Sequence, residues 1–178
     1  MEAGRGRKTK AMAATAVVTA ALCVLGPGAV PIGPVPVTLA TLLLYLSVYV
    51  LDLPQALWAA ALYLLLGACG LPVFSGYQGG PGCFAGATGG FLAGYPLLVL
   101  CSGLGVRRGS LKASLLGMGL GTLILYALGV LWLSHTAGLP LWTAAVQGML
   151  PFLPGDMGKM GAALWLGPRV REALKKRV

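Results

Sequence analysis

The chain has 178 residues, 57% of them hydrophobic and 10% charged, with a formal net charge of +9. The length suits one compact domain, and so apolar a composition excludes an ordinary soluble domain: the chain reads as solvated by lipid. The basic excess does not read as a nucleic-acid surface, because the charge lies in runs that flank apolar stretches and contain no aromatics.

Those runs are Arg5, Arg7, Lys8 and Lys10; Arg107, Arg108 and Lys112; and Arg169, Arg171, Lys175, Lys176 and Arg177. Between Ala11 and Val106 the only charged side chain is Asp52. Between Ala113 and Pro168 the only ones are Asp156 and Lys159. Residues 1–10 form a basic arm, and residues 11–178 form the membrane domain with its basic C-terminus. The first span, about residues 11–30, carries Ala16 and Ala20 four apart. Such a face lets another helix approach closely, as a partner surface or as plain packing within the bundle. The basic start and "GPGAVP" also fit a signal peptide, but the apolar regions that follow favour a helix that stays. Pro31, Pro34 and Pro36 prevent helix, so a structured loop leads into span two, about Thr38 to Leu51. Asp52 beside Pro54 reads as an end-of-helix residue or as the N-cap of span three. That span, about 55–71, repeats the small-residue spacing at Ala56 and Ala60.

"PVFSGYQGGPGCFAGATGG" holds glycines at 76, 79, 80, 82, 86, 89 and 90. It is too apolar for a soluble linker and too glycine-rich for a simple helix. It reads as a re-entrant or lid-like loop, backbone that is tolerated at membrane depth only against protein or a cavity. Span four, about 87–104, is marked by Gly86, Gly90 and Gly94 in G-x-x-x-G steps. The basic loop 105–112 precedes span five, about 113–134, with Gly117 and Gly121 on one side. "TAAVQGML" reads as a short helix on, or dipping into, the membrane surface. Pro151 and Pro154 then break the chain, and the final helix is expected from Asp156 to about Lys176. Six crossings put both termini and all three basic runs on the cytoplasmic side, whereas an odd count would strand one run outside. Four separated cysteines and one histidine, His135, make no zinc set; three of the cysteines lie in apolar spans and read as inert buried thiols. No metal or other cofactor is expected.

Asp156 and Lys159 are the unusual residues. Arg169 lies 13 positions further on, about 20 Å along a helix, which puts Asp156 in the outer half of a core roughly 30 Å thick. Residues three apart share a helix face. Burying such charges costs about 2.5–3.5 kcal/mol each. A helix N-terminus favours Asp156, which can cap free N–H groups there, but not Lys159. An internal salt bridge accounts for the aspartate better than for the lysine. A water-accessible pocket open outward accounts for both, with Lys159 holding an anionic group and Asp156 accepting from N–H donors. "GDMGKMG" is not a phosphate-binding loop, since the required spacing and the Ser or Thr after the lysine are missing. There is no G-x-S-x-G elbow, and Asp52 and Asp156 fall at opposite ends of the membrane, so no hydrolytic constellation forms. The chain does not read as an enzyme.

"VPVTLATL", "YLLLGACGLPVFSG", "GATGGFLAGY" and "LPGDMGK" occur in that order. Together they resemble BioY, the biotin-binding S component of energy-coupling factor (ECF) vitamin transporters, over about residues 11–168. The resemblance implies an all-α membrane protein of six transmembrane helices with an outward-facing pocket and a Gly-rich lid. It carries the family's final-helix pair onto Asp156 and Lys159. Pocket candidates are Thr38, Gly79, Gly80, Thr88, Gly90, Phe91 and Tyr95. The implied partners are biotin, the lipid bilayer, a transmembrane coupling protein and two ATPase subunits, with Ala16, Ala20, Ala56 and Ala60 as contact faces. The implied place is the bacterial cell membrane. Two departures bear on pocket polarity: Ala40 stands where the family often has Gln, and Ala87 and Phe91 stand for Pro and Tyr. Two other readings remain: an S component for another small anionic vitamin, or a membrane assembly protein with a structural Asp–Lys pair.

Overall fold

The computed structural model describes residues 2–30 and 35–175. Pro31, Pro34, Lys176 and Arg177 lie outside them. Eight α-helices occur among the described residues: α1 Glu2–Leu25, α2 Ala40–Val50, α3 Leu53–Ala68, α4 Gly82–Ala85, α5 Gly89–Arg107, α6 Leu111–Ala137, α7 Leu141–Gly148 and α8 Leu153–Lys175. Two of them, α5 and α6, are long and apolar enough to cross a membrane; Thr9–Leu25, Ala40–Val50 and Leu53–Ala68 are shorter apolar stretches. The basic arm is no separate element, since α1 is helical from Glu2. A two-residue antiparallel ribbon, β1 Ala29–Val30 on β2 Val37–Thr38, flanks the stretch where a proline-rich loop is expected.

Local chemistry sets the corners. Asp52 caps α3, its side chain and that of Gln55 making a reciprocal capping box. Ser110 caps α6 by accepting from the Ala113 N–H at 3.1 Å. The helix α8 begins at Leu153 rather than Asp156, because a proline in the first turn has no intrahelical N–H bond to lose. Near the other end of α8 the Arg169 guanidinium stacks 3.8 Å over the Trp165 ring.

Helices α5 and α6 pack most intimately, and glycine is the reason. A side-chain carbon at Gly117 would sit 3.0 Å from the Gly105 Cα, and one at Gly121 would sit 3.1 Å from the Leu98 Cα. Gly90 belongs to the same seam, pressed against Trp132 and the Leu128 carbonyl. Across the bundle α2 lies along α8, and α3 lies against α1 and α5. Ala56 and Ala60 are fully buried in the core, so they serve internal packing and are not available as a partner face. Ala16 and Ala20 are exposed on α1. None of the four cysteines is fully buried: Cys69 is exposed, and Cys23, Cys83 and Cys101 are half-buried.

Candidate functional site

The pairing of α2 with α8 brings Thr41, in the first turn of α2, to the first two turns of α8, where Asp156 and Lys159 share a face. Lys159 Nζ donates to Asp156 Oδ1 at 2.9 Å and to Thr41 Oγ1 at 3.0 Å. Thr41 in turn donates to the same carboxylate oxygen at 3.2 Å. Its single hydroxyl hydrogen goes to the aspartate and its lone pairs face the lysine. The other carboxylate oxygen accepts from the Tyr126 hydroxyl of α6 at 2.6 Å. Asp156 is 5% exposed, and three donors from three helices surround it. The expectation that it caps its own helix is therefore corrected: its side chain turns outward to α2 and α6. The partial positive charge of the α8 N-terminus still favours a carboxylate there.

A second polar contact lies on the same helices. Tyr45 and Thr122 meet at 2.5 Å. The Thr122 hydroxyl donates to the Met118 carbonyl at 2.8 Å, so Tyr45 is the donor in that pair.

The ion pair lines a cavity of about 720 Å³, within the usual range for small-molecule sites of roughly 300–1,000 Å³. Of the candidates read from sequence, Asp156, Lys159, Thr38, Gly79, Thr88, Phe91 and Tyr95 are on its wall. Gly80 and Gly90 are not. Gly80 has φ +94°, a conformation suited to glycine, and its N–H donates to the Gly67 carbonyl at 2.7 Å. Ala87 is on the wall, whereas Ala40 is buried at the start of α2 and off it. The glycine-rich stretch forms one side of the cavity. It is tied down at both ends, by the Gly76 N–H to the Pro27 carbonyl at 3.0 Å and by the Trp132 Nε1–H to the Gly86 carbonyl at 2.9 Å.

Sequence reading missed Thr41 and Tyr126. Thr41 sits inside the quoted "VPVTLATL", but only the three-dimensional pairing of α2 with α8 gives it a role. Tyr126 carries no local signal beyond a hydroxyl in an apolar helix.

A helical bundle with a buried ion pair on the wall of a ligand-sized cavity has the form of a solute-capturing membrane subunit. The fold matches a crystal structure at 2.1 Å of the S-component for biotin from an ECF-type ABC transporter. The TM-score is 0.86 at 26% identity, covering 94% of this chain and 93% of that one. A family model, described as the BioY family, matches residues 2–176. The chain is 38% identical over 154 residues to the biotin transporter BioY of Thermotoga maritima, covering 85% of this chain and 90% of that protein. It is 40% identical over 147 residues to the biotin transporter BioY of Rhodobacter capsulatus, covering 74% and 77%. It is 32% identical over 164 residues to the probable biotin transporter BioY of Pyrococcus horikoshii, covering 92% and 98%. The chain belongs to the BioY family.

Proposed function

We propose that this chain captures biotin in the 720 Å³ cavity and serves as the S component of an ECF transporter, driven by a coupling protein and two ATPase subunits. The reading includes six membrane-crossing helices (α1, α2, α3, α5, α6 and α8), both termini in the cytoplasm, and a cavity facing outward beneath the glycine-rich stretch. The relatives' function supports it, and so does the chemistry of the wall. The observation that carries it is the placement of Asp156 and Lys159 on the cavity, held by Thr41 and Tyr126.

The two side chains neutralise each other, which alters the division of labour expected from sequence. A lysine already paired with a carboxylate is a poor counter-ion for a free anion. An acceptor and a donor held 2.9 Å apart instead match a ureido group, whose N–H and C=O also stand side by side. Asp156 then accepts from a ureido N–H, and Lys159, with a third N–H to give, donates to the ureido carbonyl.

Binding of labelled biotin to the purified chain tests the reading. Lys159→Ala is expected to weaken binding by about tenfold or more. Weak binding that ignores this substitution would sink it. One observation favours a structural pair: both carboxylate oxygens of Asp156 accept from donors within the chain. Exchanging the two residues, Asp156→Lys with Lys159→Asp, separates the readings. A structural pair survives the exchange, and a ligand site does not.

A further inference from the structure

A second cavity, of about 840 Å³, opens at the opposite end of α2 and α8. It forms where the corner between α2 and α3 meets the last turns of α5 and α8. The polar side chains of its wall are Tyr49, Asp52, Gln55, Arg107 and Arg171, and the rest is apolar or glycine.

Two glycines fix where the two arginines stand. A side-chain carbon at Gly103 of α5 would sit 2.5 Å from Leu53 Cδ1 and 3.4 Å from Val48 Cγ1. One at Gly167 of α8 would run into the Tyr49 ring. Both helices therefore turn a bare face to the α2–α3 corner. Arg107 and Arg171 each follow four residues later, on those same faces, and a helical side chain covers the turn before its own Cα. Arg108, Lys112 and Arg169 are off this wall. A charge that only orients a helix in the membrane needs no particular face, whereas these two share one cavity.

No ion pair joins either arginine to a carboxylate among the described residues. Asp52 is engaged in its capping box with Gln55. The wall thus carries two cations against one carboxylate that is already bonded, and both arginines are exposed, so a ligand can reach them. Guanidinium groups hold phosphate oxygens through paired N–H donors. In the proposed six-helix topology this end lies in the cytoplasmic leaflet, where basic pockets between helices take anionic headgroups. A free phosphate would leave the apolar part of the wall unused. We infer that Arg107 and Arg171 bind the phosphate of an anionic phospholipid whose chains lie along that apolar wall. The choice of leaflet rests on the six-helix topology; the site itself does not rest on biotin.

The experiment is calorimetric titration of the purified, delipidated chain in neutral detergent with dioctanoyl phosphatidylglycerol, dioctanoyl phosphatidylcholine and inorganic phosphate. The wild-type chain should bind phosphatidylglycerol more tightly than either of the others by about tenfold or more. Arg107→Gln and Arg171→Gln should each weaken that binding by about tenfold or more. Arg108→Gln and Lys112→Gln should weaken it by less than about threefold. Equal affinity for phosphatidylcholine, equal affinity for inorganic phosphate, or equal weakening by all four substitutions overturns the inference. The first two results need only the wild-type chain, so they decide the matter even if a variant fails to fold. The first is also the result expected if an acidic segment of a partner protein were the occupant. Biotin binding, measured on the same samples, should be unchanged by Arg107→Gln and Arg171→Gln, so the two readings fail separately.

Discussion

Where α5 meets α6, the contact is made by removing side chains: Gly94, Gly105, Gly117, Gly121 and Gly129 let backbone and apolar groups approach directly. Where α2 meets α8, the contact is partly made by adding polar groups: Thr41, Asp156 and Lys159 bond to one another, with Tyr126 reaching across from α6. Lipid tails are as apolar as leucine side chains, so burial against another helix gains little from the hydrophobic effect. Close packing is then the general route to association, and the glycine seam takes it. The polar seam is a costlier solution. Its position on a cavity is the physical reason to regard it as a site, whereas the glycine seam reads as scaffold.

That contrast can be broken by substitution. The largest effect is expected from Asp156→Ala, which strands Lys159 without its carboxylate partner. Losing one member of a buried pair costs about 3–5 kcal/mol, seen as a lowered melting temperature in detergent together with loss of biotin binding. Next is Gly117→Val in the other seam. Its first side-chain carbon would sit 2.5 Å from the Cys101 carbonyl oxygen and 3.0 Å from the Gly105 Cα, both backbone atoms that cannot swing aside. We expect about 1–3 kcal/mol of destabilisation, with a comparable proportional effect on every ligand. A change in preference between biotin and biotinol, the analogue with an alcohol in place of the carboxylate, would contradict the division between scaffold and site. The smallest effect is expected from Tyr126→Phe, which removes one donor but leaves Asp156 two others. Binding should weaken by about threefold to tenfold with little change in stability. Unchanged binding would detach Tyr126 from the site.

Features carried by spacing were legible in the sequence. Asp156 and Lys159 share a face because a helix repeats every 3.6 residues, and the glycines at 94, 117 and 121 announced close contact. The Asp52 cap was legible because a cap is a local structure. What was not legible depends on which helices become neighbours. Thr41 lies 115 residues from Asp156 along the chain, and no periodicity links them. Ala56 and Ala60 have the same spacing as Ala16 and Ala20, yet one pair is core and the other is exposed; small residues mark tight approach without saying to what.

The stacked Arg169 and Trp165 have a consequence for the far end of α8. An indole and a guanidinium together prefer the zone where oil meets water, so under the proposed six-helix topology they form a shoulder that stops the helix from sliding. From that shoulder to the carboxylate the helix is a screw. One residue inserted between Lys159 and Trp165 would lift Asp156 by about 1.5 Å and turn it by about 100°, away from Thr41 and Tyr126. Depth and bearing are locked into a single coordinate, so this site cannot be moved along its axis without being aimed elsewhere.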